Sequence, residues 1–327
     1  MAVLHFLNVL EGDCHIVKHA SDHITVIDCN NAKIETEEDA RARFIQKLAQ
    51  ARIQGNLNQK AYPVNPIVYM NQHGYDSVFR FILTHPDMDH MGGIQDFFEK
   101  LSPINFWDTD NNEEKDFEEG GPYNENDWIF YNSLRDGNSE KDPKRLTNYS
   151  GDKGKYWSEN EEGKKPGDAL NILSPTKELV KEGNESDDNH IYSYVILYRA
   201  AGGKVLFCGD SHDKTWDHIL EAHEDDVKDV KVLIAPHHGR DSKRSFDFLK
   251  IVNPTLTLIG NAPSKDLAYD QYNKYGTIVT NNQANCVIIE VSEDPMKLYV
   301  TNKKFAEKYH DDPQYSDYYK SWFCFEF

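Results

Sequence analysis

The chain has 327 residues, 28% of them charged, with a formal net charge of −19 and a mean hydropathy of −0.72. That length buries a large core, as one sizeable domain or two smaller ones, and no apolar run reaches the roughly 18 residues a membrane span requires. The acidic balance argues against a broad basic surface of the kind that grips nucleic-acid backbones, so a polyanionic substrate would need a local basic groove, bound metal or a basic partner.

Residues 3 to 9 (VLHFLNV) and 24 to 28 (ITVID) are rich in branched and aromatic side chains and predict two strands. Between them, Gly12, Asp13 and Cys14 mark a turn, and Asp28 closes the second strand. Thr36 to Gln54 predicts a helix, with Thr36 and Asp39 as a capping box and Phe44, Ile45, Leu48 and Ala49 as its apolar stripe. Residues 63 to 68 (PVNPIV) predict a loop.

Phe81, Ile82 and Leu83 then form an apolar run that stops at Thr84. Four side chains able to bind metal follow within six positions: His85, Asp87, Asp89 and His90. Gly92 and Gly93 open an amphipathic segment, Ile94 to Leu101, with Phe97 and Phe98 on its apolar side. The pattern is a strand, a ligand-bearing turn and a helix N-terminus. Imidazole and carboxylate groups spaced this way can converge on a dinuclear site.

Residues 105 to 168 are acidic, rich in Gly, Asn and aromatics, and weakly periodic. Their Trp107, Trp128, Tyr131, Tyr149, Tyr156 and Trp157 argue for an ordered insertion, placed over the site and contributing to substrate choice. Lys141, Lys144 and Arg145 are its one weak basic cluster. The pattern resumes with residues 169 to 175 (ALNILSP), which end in Ser174-Pro175, and with strands at 193 to 199 (SYVILYR) and 204 to 208 (KVLFC), the last ending in Gly209-Asp210. Trp216 to His223 is helical, with His218 and His223 as surface or packing residues. Lys231 to Ala235 leads into Pro236, His237, His238 and Gly239, a His pair held between a core strand and a glycine. Residues 256 to 260 and 286 to 291 predict two further strands. The aromatic stretch from 305 to 327 predicts packing against the body or a partner. The five cysteines (14, 29, 208, 286 and 324) are scattered in apolar runs and the start lacks a basic leader region, which together predict reduced core thiols in a cytoplasmic protein.

The segment THPDMDHMGG resembles the metallo-β-lactamase superfamily signature His-x-His-x-Asp-His, with Asp87 in place of the second His. In that form, and with Pro236 to Gly239, it resembles most the hydrolase domain of ComEC-type competence proteins. Leu7 to Cys14 resembles the family's opening hairpin, with Leu10 where its first Gly stands, and Asn30 replaces the Gly that ends its second strand. The resemblance implies an α/β protein: a four-layer αβ/βα sandwich over 1 to 304, interrupted by the insertion at 105 to 168 and followed by an aromatic extension at 305 to 327.

It also implies two divalent ions, zinc or manganese, bridged by Asp210. His85 and Asp87 would hold the first; Asp89, His90 and one of His237 and His238 the second, with His238 favoured. The family's additional His corresponds to His190, or Asn189 and Ser193 stand in its place as is common in this branch. Asp89, His237 and His238 are the expected catalytic residues, with the non-ligating His either protonating the leaving oxygen or contacting phosphate. Arg240 and Lys243 are candidates for binding phosphate, and Asp13 and Asp28 for supporting the ligands from behind.

The activity implied is metal-dependent cleavage of phosphodiester bonds, foremost by a nuclease acting on DNA, alone, as a homo-oligomer or with a protein partner. The acidic charge favours an alternative, a small phosphodiester such as a cyclic nucleotide or a phosphocholine ester. A third reading is a degraded site serving as a binding or regulatory module.

Overall fold

A computed structural model describes residues 1–34, 59–117, 123–137, 143–159, 167–186 and 188–327. The helix expected over Thr36 to Gln54 and the basic residue Lys141 lie outside the described residues. In chain order the strands are β1 (Val3–Phe6), β2 (His15–Lys18), β3 (Ile24–Ile27), β4 (Arg80–Ile82), β5 (Asn105–Trp107), β6 (Lys144–Leu146), β7 (Leu170–Ser174) and β8 (Val195–Ala200). They continue with β9 (Gly203–Phe207), β10 (Val232–Ile234), β11 (Leu256–Ile259), β12 (Thr277–Thr280), β13 (Val287–Glu290), β14 (Lys297–Val300), β15 (Tyr315–Ser316) and β16 (Ser321–Glu326). One sheet runs β15-β16-β14-β13-β1-β2-β3-β4-β5-β6, and the second β12-β11-β10-β9-β8-β7.

Successive strand residues point to opposite faces, so each short apolar run serves two cores. Ile82 joins Leu4, Phe6, Val17 and Ile27 between the sheets, where they meet Val205, Phe207, Val232 and Ile234 of the second sheet. Its neighbour Phe81 faces outward, against helices α1 (Pro66–Gln72), α2 (Ile94–Leu101) and α3 (Glu125–Arg135). Leu206 and Leu233 likewise face outward, against Trp216 and Ile219 of α4 (Asp213–Val227). The result is helix, sheet, sheet, helix: the four-layer αβ/βα sandwich implied by the sequence.

One segment departs from its sequence reading, and a second packs against the body. Residues 63 to 68 are a loop only as far as Asn65, whose side chain accepts from the amides of Ile67 at 2.9 Å and Val68 at 3.2 Å and so caps α1 with Pro66 in its first turn. The C-terminal residues form part of the first sheet, because β16 pairs antiparallel with β14 and carries Phe325 opposite Leu298.

Strand direction gathers the polar turns. β3, β4 and β5 are mutually parallel, as are β9, β10, β11 and β12. Asp28 follows β3, His85 to His90 follow β4, Asp210 follows β9, and His237 and His238 follow β10. β8 is antiparallel to β9, so the segment entering it, with Asn189, His190 and Ser193, reaches the same edge. Residues scattered over more than two hundred positions thereby meet at one end of the sandwich.

Candidate metal centre

Asp28 sits at φ 57, a left-handed position that Asp tolerates because its short side chain bonds locally. One of its oxygens accepts from the Thr84 amide at 2.7 Å; the other accepts from the Thr84 hydroxyl at 2.8 Å and from His90 Nδ1 at 2.9 Å. The Thr84 hydroxyl has thus spent its proton on Asp28, so it accepts from His85 Nδ1 at 3.0 Å. His238 Nδ1 lies 3.2 Å from Asp13 Oδ1. His85 and His90 are thus hydrogen-bonded through Nδ1 to an oxygen, Asp13 stands beside His238 Nδ1, and all three rings turn Nε2 to the opposite side.

Those nitrogens converge. Asp210 Oδ1 is 3.3 Å from His90 Nε2, and its Oδ2 lies 3.5 Å from His237 Nε2, 3.7 Å from His238 Nε2 and 3.9 Å from Nε2 of both His85 and His190. Asp87 Oδ2 is 3.3 Å from Nε2 of both His85 and His190, and Asp89 Oδ2 is 3.3 Å from His238 Nε2. Ligand atoms of Asp13, His90, Asp210 and His238 all fall within 4.8 Å of one another. The same limit encloses His85, Asp87 and His190, and again His190, Asp210 and His237. His85 Nε2, His90 Nε2, His238 Nε2 and Asp210 Oδ1 are buried without a hydrogen-bond partner. Leaving such groups unmatched is costly, and four of them facing one space fit divalent cations with nitrogen and oxygen ligands.

Charge in the cluster is strongly coupled. Burial raises Asp210, but His238, His90 and His85 override it and hold the carboxyl well below its usual range. Burial likewise lowers His90, yet Asp210, Asp28 and Asp89 push it well above an ordinary imidazole. Against the same burial penalty, Asp210 and Asp13 push His238 up to about 10. His237 goes the other way: burial first, with His190, His238 and Arg244 adding to it against Asp210, lowers it to about 3.

His190, Asn189 and Ser193 all take part, so the alternatives left open by sequence are not exclusive. His190 brings Nε2 to Asp87 and Asp210; Asn189 donates to Asp87 Oδ1 at 2.8 Å; Ser193 Oγ accepts from the Asp210 amide at 3.1 Å. Asp13 backs His238, and Asp28 backs His90 and Thr84. The two proposed phosphate binders are not brought into the cluster: Arg240 pairs with Glu11 at 3.7 Å, and Lys243 is exposed. Two other cations reach the cluster. Lys115, from the acidic segment, donates to Asp87 Oδ1 at 2.8 Å and lies over the Trp128 ring. Arg244 donates through Nη2 to His237 Nδ1 at 3.0 Å and through Nη1 to the Ser211 carbonyl. Nothing in the local sequence marks Lys115, which sits among acidic residues; Arg244 lies one position beyond the lysine singled out.

Gly12 and Gly92 show why the surrounding turns are tight. A side-chain carbon on Gly12, at φ 105, would stand 2.0 Å from the Asp89 carbonyl, and one on Gly92 would stand 2.1 Å from Asn30 Oδ1. The Asn30 side chain therefore fills the space that Gly92 leaves open. Leu10 sits at φ 76.

A second arrangement has the outline of a hydrolytic triad: Ser150 Oγ is 2.8 Å from His223 Nε2, and His223 Nδ1 is 3.2 Å from Asp226. The amides of Ser150, Gly151 and Asp152 all donate to backbone carbonyls, at 2.7, 3.0 and 2.9 Å, which leaves none of them to stabilise an oxyanion. His218 takes the other side of the hydroxyl at 3.0 Å, so this network ties the 105–168 segment to α4.

No protein-family model and no curated protein matches this sequence. Among solved structures the chain is similar to Igni18, a metallo hydrolase from the archaeon Ignicoccus hospitalis, at 12% identity and a TM-score of 0.44, covering 88% of this chain and 99% of that one. It is also similar to the metallo-beta-lactamase fold protein YhfI from Bacillus subtilis, at 8% identity and a TM-score of 0.45, covering 87% of this chain and 98% of that one. A third is an isothiocyanate hydrolase from Delia radicum gut bacteria, at 12% identity and a TM-score of 0.43, covering 86% and 95% of the two chains.

Proposed function

We propose that the chain is a metal-dependent hydrolase of phosphodiester bonds, with DNA as the foremost substrate. The observation that carries this reading is Asp210: both of its oxygens lie among imidazole nitrogens from three separate turns, those of His85 and His90, of His190, and of His237 and His238, as a residue shared by two cations would. His85, Asp87 and His190 would hold one ion, Asp89, His90 and His238 the other, with Asp210 common to both. A set of imidazoles and carboxylates without cysteine suits zinc or manganese. When bound, two such ions polarise a phosphoryl oxygen and bring the ionisation of water towards neutral pH. Asp89, lowered to about 2 against its burial by His90 and His238, stays ionised to orient the attacking water. Lys115 and His237 flank the cluster as donors to the negative phosphoryl group.

The net charge of −19 favours a second reading, hydrolysis of a small phosphodiester such as a cyclic nucleotide or phosphocholine ester, which meets less repulsion than a polyanion. A binding module with a degraded site is disfavoured by the number of inward-facing ligands. The test is manganese- or zinc-dependent cleavage of labelled single- and double-stranded DNA beside bis-p-nitrophenyl phosphate, with Asp89→Ala and Asp210→Ala as controls. DNA cleavage abolished by both substitutions supports the nuclease. Cleavage of the ester alone supports the small-substrate enzyme. Absence of both activity and bound metal returns the chain to the binding module.

A further inference from the structure

The first turn of α3 is fastened to the metal-site edge from two sides. Asp127, buried, accepts from the Gly93 amide at 3.0 Å, three residues after His90. Lys115 links Asp87, at 2.8 Å, to the face of Trp128, whose ring centre lies 5.6 Å from Nζ. Tyr123 stands immediately before Asn124, which caps the helix by accepting from the Asn126 amide at 3.2 Å. The aromatic residues of this segment have different surroundings. Trp128 and Tyr131 are buried in the helix layer, whereas Tyr123 is 52% exposed. Partial burial first, then the charges of Asp89, Asp87 and Glu11, hold the Tyr123 proton on more firmly than in a free phenol, with Lys115 opposing them. The ring therefore stands at the rim, next to the ligand-bearing turn and the loop that carries Glu11.

We propose that Tyr123 is a specificity-determining residue: its exposed ring is the platform on which an unpaired heterocyclic base stacks while the phosphate of the same nucleotide lies at the cluster. This rests on the phosphodiesterase reading and narrows it to nucleotide substrates, at the expense of a phosphocholine ester. The charges around the ring favour an uncharged partner. Asp87 and Asp89 would be spent on cations in the loaded protein, which leaves Lys115 and the ions themselves beside Tyr123. A quaternary ammonium over the ring would then meet repulsion, whereas a neutral planar base meets none and gains stacking area. Every base has a π-face, so a single such platform separates nucleotides from other phosphates without reading sequence. The fastening of α3 through Asp127 and Trp128 holds the ring in place before substrate arrives, which limits the ordering that binding must supply.

The test measures binding of deoxyadenosine monophosphate and of deoxyribose 5-phosphate to the zinc-loaded chain by titration calorimetry. The wild type should bind the nucleotide roughly tenfold more tightly than the sugar phosphate. Tyr123→Ala should abolish that preference by weakening the nucleotide alone, and Tyr123→Phe, which keeps the ring, should retain it. Zinc content and circular dichroism of both variants should match the wild type. Equal affinity for the two probes in the wild type overturns the proposal, as does a preference that survives Tyr123→Ala. An equal loss for both probes would make Tyr123 a structural residue and overturns it too. Phosphocholine binding more tightly than inorganic phosphate, through Tyr123, would make the ring a cation platform, again against the proposal. Competition against bound nucleotide then names the source of the base: stronger displacement by single-stranded oligodeoxyadenylate assigns it to a polymer, stronger displacement by cyclic adenosine monophosphate to a small substrate, and either supports the platform. Displacement by neither overturns it. A wild type that shows the nucleotide preference but cleaves neither DNA nor bis-p-nitrophenyl phosphate sinks the functional reading and leaves the base platform standing.

Discussion

Asp28 accepts from His90 Nδ1 at 2.9 Å and from the Thr84 hydroxyl at 2.8 Å, and through Thr84 it also governs His85. One buried carboxylate therefore sets two imidazoles that would serve different ions. Asp28→Asn preserves size and tolerates the left-handed backbone, but replaces one acceptor oxygen by a donor. We expect it to lower metal affinity roughly 10- to 100-fold with the fold retained. Competition with a chromogenic chelator, beside circular dichroism, checks both halves.

Metal uptake should release protons. His90 and His190 are raised above the ordinary imidazole range and His238 is raised to about 10, so at pH 7 the metal-free protein holds protons on ring nitrogens that a cation must displace. Apparent affinity should then fall as pH falls, about tenfold per pH unit for each proton displaced. Zinc titration calorimetry in two buffers of different ionisation enthalpy counts those protons; a count of zero at pH 7 contradicts the prediction.

The same raised His238 stabilises the metal-free fold. Its folded value of about 10 lies above the unfolded value near 6.5, so its contribution is complete below about pH 6.5 and is lost as pH rises towards 10. Chelator-treated protein should lose thermal stability over that window, and His238→Gln should flatten the profile. Zinc-loaded protein should lack this loss, because the bound ion replaces the proton.

Among the described residues, Lys115 is the one lysine or arginine paired with a carboxylate of the cluster. Lys115→Met keeps its packing on Trp128 but removes the charge. Inorganic phosphate should inhibit this variant roughly tenfold more weakly than the wild type, a difference of about 1.4 kcal/mol. Metal content should not change; if inhibition is unaltered, Lys115 does not meet the substrate's anionic group.

Gly12→Ala should fail for two reasons at once, the left-handed φ of 105 and a contact of 2.0 Å with the Asp89 carbonyl. Relief requires the turn carrying Asp89 and His90 to shift. We expect a destabilisation of about 2 kcal/mol or more together with weaker metal binding, read by thermal melts and chelator competition.

The sequence by itself determined the local chemistry of this edge. Apolar runs ending at Thr84, Cys208 and Ala235 are strands whose polar continuations must emerge at sheet ends, and side chains as close as His85, Asp87, Asp89 and His90 share a turn whatever surrounds it. The layered α/β fold was an expectation from the resemblance those motifs carry. Only the tertiary structure decided what faces each ring. Lys115 reaches Asp87 from 28 positions away and Asn189 from 102, while Asp28 meets His90 across 62. It also gave the PVNPIV segment a helical start and drew the aromatic C-terminal residues into the first sheet. The physical reason is range. Strand and turn patterns arise from neighbours a few residues apart, whereas a histidine's tautomer and a cation's partner depend on which distant strand ends the folded sheets bring together.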